Sequence, residues 1–312
     1  MYFPILRGRQ FELLALRECV SKEILSKQII PIVEPVKASS TYTKTVDSFI
    51  KAGRPIAIVR NPQVGSWDRD INKESSSKIN DLVSEQFKDP NVISSLYVTP
   101  SLSSDIGIVT QDGISVDSLI FLCVNPEFVD NYGDVIGDDI PRYNVIPDKS
   151  EFRRRIRPNR VMCEDHFPKQ MRNIDYSEIE TEFFSSDHLY YMEDGYKGFS
   201  DYSVVGEEYN ETGFAPYAVA IHIVYFDEKK ILRVAHFVSD SNDDISDPAR
   251  KFEEAVEKLV EWNKIKKLDT VGIREFESAY KNKTYPGLGV VKKFSIMHHL
   301  ELMSKYLDGV EK

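Results

Sequence analysis

Seven short apolar runs recur along the first two thirds of the chain, and each ends in a polar residue and a turn. Residues 29–33 close on Glu34-Pro35, 56–59 on Arg60-Asn61-Pro62, 92–98 on Thr99-Pro100 and 119–124 on Asn125-Pro126. Residues 143–146, 160–163 and 188–192 lead into Pro147-Asp148, Glu164-Asp165-His166 and Glu193-Asp194-Gly195. The runs are rich in β-branched residues and apolar at successive positions, as strands of a parallel sheet covered on both faces read. Proline straight after such a run ends the pairing, because it brings no N–H to the ladder. Between the runs, apolar residues fall at helical spacing, as in Phe11, Leu14 and Ala15, or Val46, Phe49 and Ile50. The runs start 17 to 36 residues apart, the spacing of βα units. Residues 2–6 bring the count to about eight, the number that closes a (β/α)8 barrel. The chain therefore reads as α/β, a TIM-barrel-like core over residues 1–215, with an open doubly wound sheet as the alternative.

The pattern changes after Gly195. Residues 218–226 and 231–238 flank Asp227-Glu228-Lys229-Lys230 as the two arms of an antiparallel hairpin. Three helical stretches follow, at 248–264, 273–281 and 291–307, the first opened by an Asp247 cap with Pro248 at its first position. Residues 216–312 are thus expected to form a hairpin and helices packed on the same body, with a separate C-terminal domain as the alternative. If Asp227 and Lys230 pair across a two-residue turn, His222 faces Ala235 and His236 faces Ile221, which puts the two histidines on opposite faces of the ribbon. His298 and His299 stand about 100° apart on the last helix, so one of them is expected to face the core.

With 40 Lys and Arg against 50 Asp and Glu, the net charge is −10. An acidic body of this kind gains nothing from anionic membranes or duplex DNA as a whole, so any such binding needs a local basic patch. The three cysteines, Cys19, Cys123 and Cys163, are too few and scattered for a disulfide framework or a paired-cysteine metal site. No run has signal-peptide form or membrane-spanning length, so a cytoplasmic protein is the expectation.

The stretches MYFPILRGRQFELLALRE and IIPIVEP, with GFAPYAVAIHIVYF, RVAHFVSD and YPGLGVVKKFSIMHHLEL, resemble a family of uncharacterised bacterial proteins known by a locus tag. That family is loosely related to the Beta-protein family. The resemblance implies a place in phage, mobile-element or antiviral defence-type loci, beside a small partner protein from a neighbouring gene. It carries no reaction and no catalytic residue.

In a barrel, ligands meet the C-terminal ends of the strands. Glu34, Asn61, Asn125, Glu164, Asp165 and His166 would gather there, a set of carboxylates and amides suited to a divalent cation or to acid–base work. The plainer alternative is that these groups cap their own loops. Asp201, in Gly198-Phe199-Ser200-Asp201-Tyr202-Ser203, adds a further candidate reactive group without the G-x-S-x-G pattern of a serine hydrolase. Gly287 and Gly289, followed by Lys292 and Lys293, resemble in kind an anion-binding helix start, short of a full phosphate-loop pattern. Arg153, Arg154, Arg155 and Arg157 form the one dense basic run, able to meet nucleic-acid phosphate or an acidic partner if Arg153 and Arg157 share a helix face. Two functions remain: a binding or effector subunit acting with a partner, or a metal-assisted phosphodiesterase or nuclease working at the barrel rim.

Overall fold

A computed structural model describes residues 1–210 and 216–310. Two compact units divide the chain: Met1–Leu13, Lys27–Asp165 and Asp187–Tyr202 form the first, and Leu14–Ser26, His166–Ser186 and Ser203–Lys312 the second. The units interleave along the chain rather than meeting at one point, and the boundary expected at 215 adjoins residues 211–215, outside the described residues.

The first unit is a TIM-barrel-like fold. Strands β1 (Ile5–Leu6), β2 (Ile32–Val33), β3 (Ile56–Val59), β4 (Val92–Tyr97), β5 (Ile120–Leu122), β6 (Tyr143–Ile146) and β7 (Arg160–Cys163) lie side by side in sequence order, all parallel. After β8 (Thr181–Ser185), which belongs to the second unit, β9 (Gly198–Ser200) pairs parallel with β7 as the eighth barrel strand. Tyr2 bridges to Phe199 and to Ile29, and the Phe3 N–H donates to the Phe199 carbonyl at 2.9 Å, so the last strand meets the first.

Helices α1 (Gln10–Ser21), α2 (Ser40–Lys51), α3 (Trp67–Ile71), α4 (Ser77–Gln86), α5 (Leu102–Gln111), α6 (Val129–Ile136), α7 (Ser150–Arg155) and α8 (Asp187–Tyr190) fill the connections. The Ser39 hydroxyl caps α2 by accepting from the Tyr42 N–H, and Tyr42, Val46 and Phe49 form its buried face at helical spacing.

Alternate strand residues build one apolar cluster that includes Ile30 and Ile32, Ala57 and Val59, Ile120 and Leu122, and Val161 and Cys163. These fill the barrel interior, while their neighbours Ile56, Ile58 and Phe121, also fully buried, face outward beneath the helices. Burial on both sides is why the runs show no alternation.

One strand assignment is corrected. Residues 188–192 are not the eighth strand: α8 occupies their start, and the strand comes ten residues later, at Gly198. Glu193 and Asp194 accordingly precede a strand instead of following one.

The second unit holds an antiparallel sheet ordered β10 (Ala220–Phe226), β11 (Leu232–Val238), β8. Val219, Ile221, Ile223, Tyr225, Ala235 and Phe237 pack one face onto α9 (Pro248–Lys266), α10 (Val271–Lys281) and α11 (Leu288–Leu307). Asp247 caps α9 through the Arg250 N–H at 3.1 Å, with Pro248 at the first position. No helix among the described residues is long and apolar enough to cross a membrane.

The hairpin register differs by one residue from the expected pairing. Asp227 pairs with Ile231, not Lys230: its N–H donates to the Ile231 carbonyl, and its carboxylate accepts from the N–H groups of Lys229 and Ile231. Lys230 takes the left-handed conformation (φ +62°), which gives a three-residue loop. A one-residue slip exchanges every facing partner. His222 therefore lies directly opposite His236, on the same face.

Candidate functional site: the barrel rim

Glu34 follows β2 and is fully buried. Its Oε2 accepts from the Arg7 guanidinium and from the Tyr97 hydroxyl at 3.0 Å, and its Oε1 from the backbone N–H groups of Gln63 and Val64 at 2.6 and 3.2 Å. A carboxylate offers about four acceptor sites, and four donors occupy them here. Arg7 also donates to the Tyr97 hydroxyl at 3.0 Å and lies 5.3 Å from the centre of the Tyr202 ring. Burial opposes the Arg7 charge, but the Glu34 carboxylate outweighs it and holds the guanidinium ionised. Burial and then the Glu34 charge push the Tyr97 hydroxyl far above its ordinary range, so it stays a protonated donor. The result is a neutralised, rigid plug at the strand ends, with Arg7 coming from the end of β1, Tyr97 from β4 and Tyr202 from just beyond β9.

The other rim residues serve their own loops. Asn61 donates to the Tyr97 carbonyl (3.0 Å) and Asp105 (2.8 Å) and accepts from the Tyr97 N–H at 2.8 Å, which clips the ends of β3 and β4 together. Asn125 caps the turn after β5 by accepting from the Glu127 N–H at 3.0 Å. Glu164 accepts from the Asp148 N–H at 3.1 Å, and Asp148 in turn accepts from the Tyr196 hydroxyl at 2.7 Å. The trio expected as a cluster is divided: Glu164 and the exposed Asp165 belong to the first unit, and His166 belongs to the second, where its Nε2 meets the Ser185 hydroxyl at 3.2 Å. Asp201 is buried and accepts from the Tyr2 hydroxyl at 2.7 Å, a clasp across the seam of the barrel. A cavity of about 730 Å³ in the first unit is lined by Arg60, after β3, and by Trp67, Ile71, Val83, Phe87 and Ile108. No group of three His, Cys, Asp or Glu among the described residues is placed to hold a metal ion.

The remaining candidates sit in varied settings. Arg153 pairs with Asp148, and Arg155 pairs with Asp130 at 2.9 Å. Helix α7 stops at Arg155, so Arg153 and Arg157 do not share a helix face as the sequence suggested; the chain turns extended at Ile156, which is buried. At the start of α11, Gly287 adopts φ +91°, Lys293 pairs with Glu18 at 2.7 Å, and Lys292 lines a cleft with His222. His298 and His299 are both fully buried, where one was expected. Ser203, in the second unit, meets His299 Nδ1 at 2.9 Å, and both residues are buried.

Arg7 and Tyr97 escaped the sequence reading. Arg7 directly follows β1, as Glu34 follows β2, and that matched placement of opposite charges was the available signal. Compared with protein-family models, curated proteins and solved structures, the chain matches none.

Proposed function

We propose that this chain is a binding subunit that acts with a partner protein, in keeping with its resemblance to proteins of bacterial mobile-element and antiviral defence-type loci. The observation that carries the reading is the state of Glu34. The one fully buried carboxylate of the rim is neutralised by Arg7 and saturated by Tyr97 and two backbone amides. A metal-assisted phosphodiesterase needs carboxylate lone pairs directed at a cation or a water molecule, and here they are directed at protein donors. Asn61 and Asn125 likewise hold loops.

The test is co-expression with the products of the flanking genes and affinity capture of this chain, run beside cleavage assays on DNA and RNA with Mg²⁺ or Mn²⁺. Stoichiometric recovery of a neighbouring gene product, without metal-dependent cleavage, is the expected result. Metal-dependent cleavage by the wild-type chain would overturn the reading.

A further inference from the structure

The antiparallel sheet of the second unit has two edges, β10 and β8, and the fold treats them differently. On the β10 edge, the Val224 carbonyl accepts from His298 Nε2–H on α11 at 2.6 Å. Among the described residues, nothing comparable closes the β8 edge. Alternate pairs in an antiparallel ladder exchange hydrogen bonds, and the pairs between them turn their backbone groups away. The His236 N–H donates to the Glu180 carbonyl at 3.2 Å, and Glu182 pairs with Val234 in the same phase. Thr181, opposite Ala235, and Phe183, opposite Arg233, therefore direct their backbone N–H and C=O groups outward, where these meet no partner among the described residues. Both residues are exposed, Phe183 to 54%. The strand is nonetheless held in place. The Thr181 hydroxyl lies 2.9 Å from the Tyr225 hydroxyl, and Glu182 accepts from His236 Nε2–H at 2.8 Å.

Building on the binding-subunit reading, we propose that the β8 edge is a docking site for an extended, basic segment of the partner protein, which joins the three-stranded sheet as a fourth strand beside Thr181 and Phe183. An open edge is a template for another strand: main-chain hydrogen bonds supply the pairing, and alternating side chains supply the choice. Charge decides the occupant. Glu180 and Glu182 project to one face of the strand, and Thr181 and Phe183 to the other. Glu180 is exposed and makes no ion pair among the described residues. A second copy of the chain, pairing antiparallel through the same edge, would set glutamates of the two strands opposite one another, and like charges so placed repel. A guest with Lys or Arg at alternate positions meets those carboxylates instead. Its intervening apolar residues then fall beside Phe183. The net charge of −10 draws the same kind of partner at longer range.

The probe is a fluorescein-labelled peptide of alternating lysine and valine, about six residues long as strands usually are, titrated with the whole chain by fluorescence anisotropy. Saturable binding that weakens as salt rises is expected. Methylating the backbone N–H groups of the valines, or those of the lysines, blocks one edge of the peptide at a time and keeps its charge. One of the two sets should cost about tenfold or more in affinity and the other little; it is the valine set for a guest antiparallel to β8 and the lysine set for a parallel one. Phe183→Pro removes an outward N–H without touching the β11 ladder, as edge strands tolerate, and should abolish binding. Glu180→Lys leaves the backbone edge intact and should weaken binding severalfold at low salt and less at high salt. No saturable binding, the same affinity for the two methylated peptides, or binding unchanged in Glu180→Lys overturns the proposal. A dimer of the chain alone that Phe183→Pro dissolves also overturns it, by giving the edge to a second copy. If wild type and Phe183→Pro capture a flanking gene product equally, the binding-subunit reading stands and the edge is not its site. Should Phe183→Pro fail to fold, the methylated peptides and Glu180→Lys decide the matter without it.

Discussion

Acid should weaken this protein through one histidine whose surroundings fix its protonation. His298 is fully buried on α11; its Nε2–H donates to the Val224 carbonyl at 2.6 Å, and its Nδ1 accepts from the Thr270 hydroxyl at 2.8 Å. Thr270 also caps α10 by accepting from the Ile273 N–H. Both ring nitrogens are therefore satisfied by a neutral imidazole, and a second proton would face the Thr270 oxygen inside the core. Burial is the main cause that drives the pKa down to about 4, opposed by the Val224 carbonyl and aided by His299 and Lys305. The unfolded chain takes up a proton near pH 6.5 that the folded chain refuses until about pH 4, so stability falls as pH falls across that window. At about 1.4 kcal/mol per unit, the window is worth about 3 kcal/mol, a sizeable share of a typical folding free energy of about 5–15 kcal/mol. Other buried histidines act in the same direction, so the measurement is a difference. Urea unfolding of wild type and His298→Gln is compared at pH 7 and pH 5, since glutamine keeps a donor for Val224 and does not titrate. The wild type should lose about 2 kcal/mol more than the variant over that interval. Stability curves that stay parallel would mean that His298 is protonated in the fold and that the hydrogen-bond assignment is wrong.

Glu34→Gln should destabilise the barrel by about 3–5 kcal/mol, because it leaves the Arg7 charge buried without its partner; Glu34→Gln with Arg7→Met should recover most of the loss in the same urea assay. Gly198→Ala places a methyl group 2.6 Å from the Phe3 ring and 2.7 Å from the Met1 carbonyl, the group that accepts the seam hydrogen bond from Phe199; it should cost about 1–3 kcal/mol, read as a lowered Tm. Lys230→Gly relieves a left-handed backbone costing about 1–2 kcal/mol, against glycine's own entropic penalty of about 0.5–1 kcal/mol, so stability should rise slightly. Reversing Arg154 and Arg157 to Glu should change stability by less than about 0.5 kcal/mol and weaken any anionic partner in a salt-dependent way; binding equal to wild type at low and high salt would leave the run a solvated surface.

The parallel strands were legible because the barrel buries both faces of β2 to β7, and double burial leaves a continuous apolar run. The eighth strand was not, since Gly198-Phe199-Ser200 is held by pairing with strands far away in sequence and carries one large apolar side chain. The hairpin was legible but its register was not. The left-handed position falls on Lys230, where no glycine or asparagine marks it. At the rim, Glu34 could be placed from its position after β2, but its role depends on Arg7 and Tyr97, 27 and 63 residues away. Asn61 and Asn125 show the limit of reading strand ends. An amide before proline suits a loop clamp as well as a ligand, and local sequence is the same for both.

The second unit ties the segment of α1 to the segment of α11. Glu18 meets Lys293 and the Ser26 hydroxyl meets Asp308, 275 and 282 positions apart. At a synthesis rate of about 5–20 residues per second, the segment carrying Glu18 leaves the ribosome on the order of 15–60 s before its partners exist. Over that interval Glu18 and Ser26 lack these native partners. The nascent chain must therefore keep this segment accessible, or shield it with a chaperone, until the residues of α11 and those just beyond it have been made. Truncations that remove α11 would extend that exposure indefinitely, so fragments lacking it should be recovered as aggregates even when every barrel strand is present.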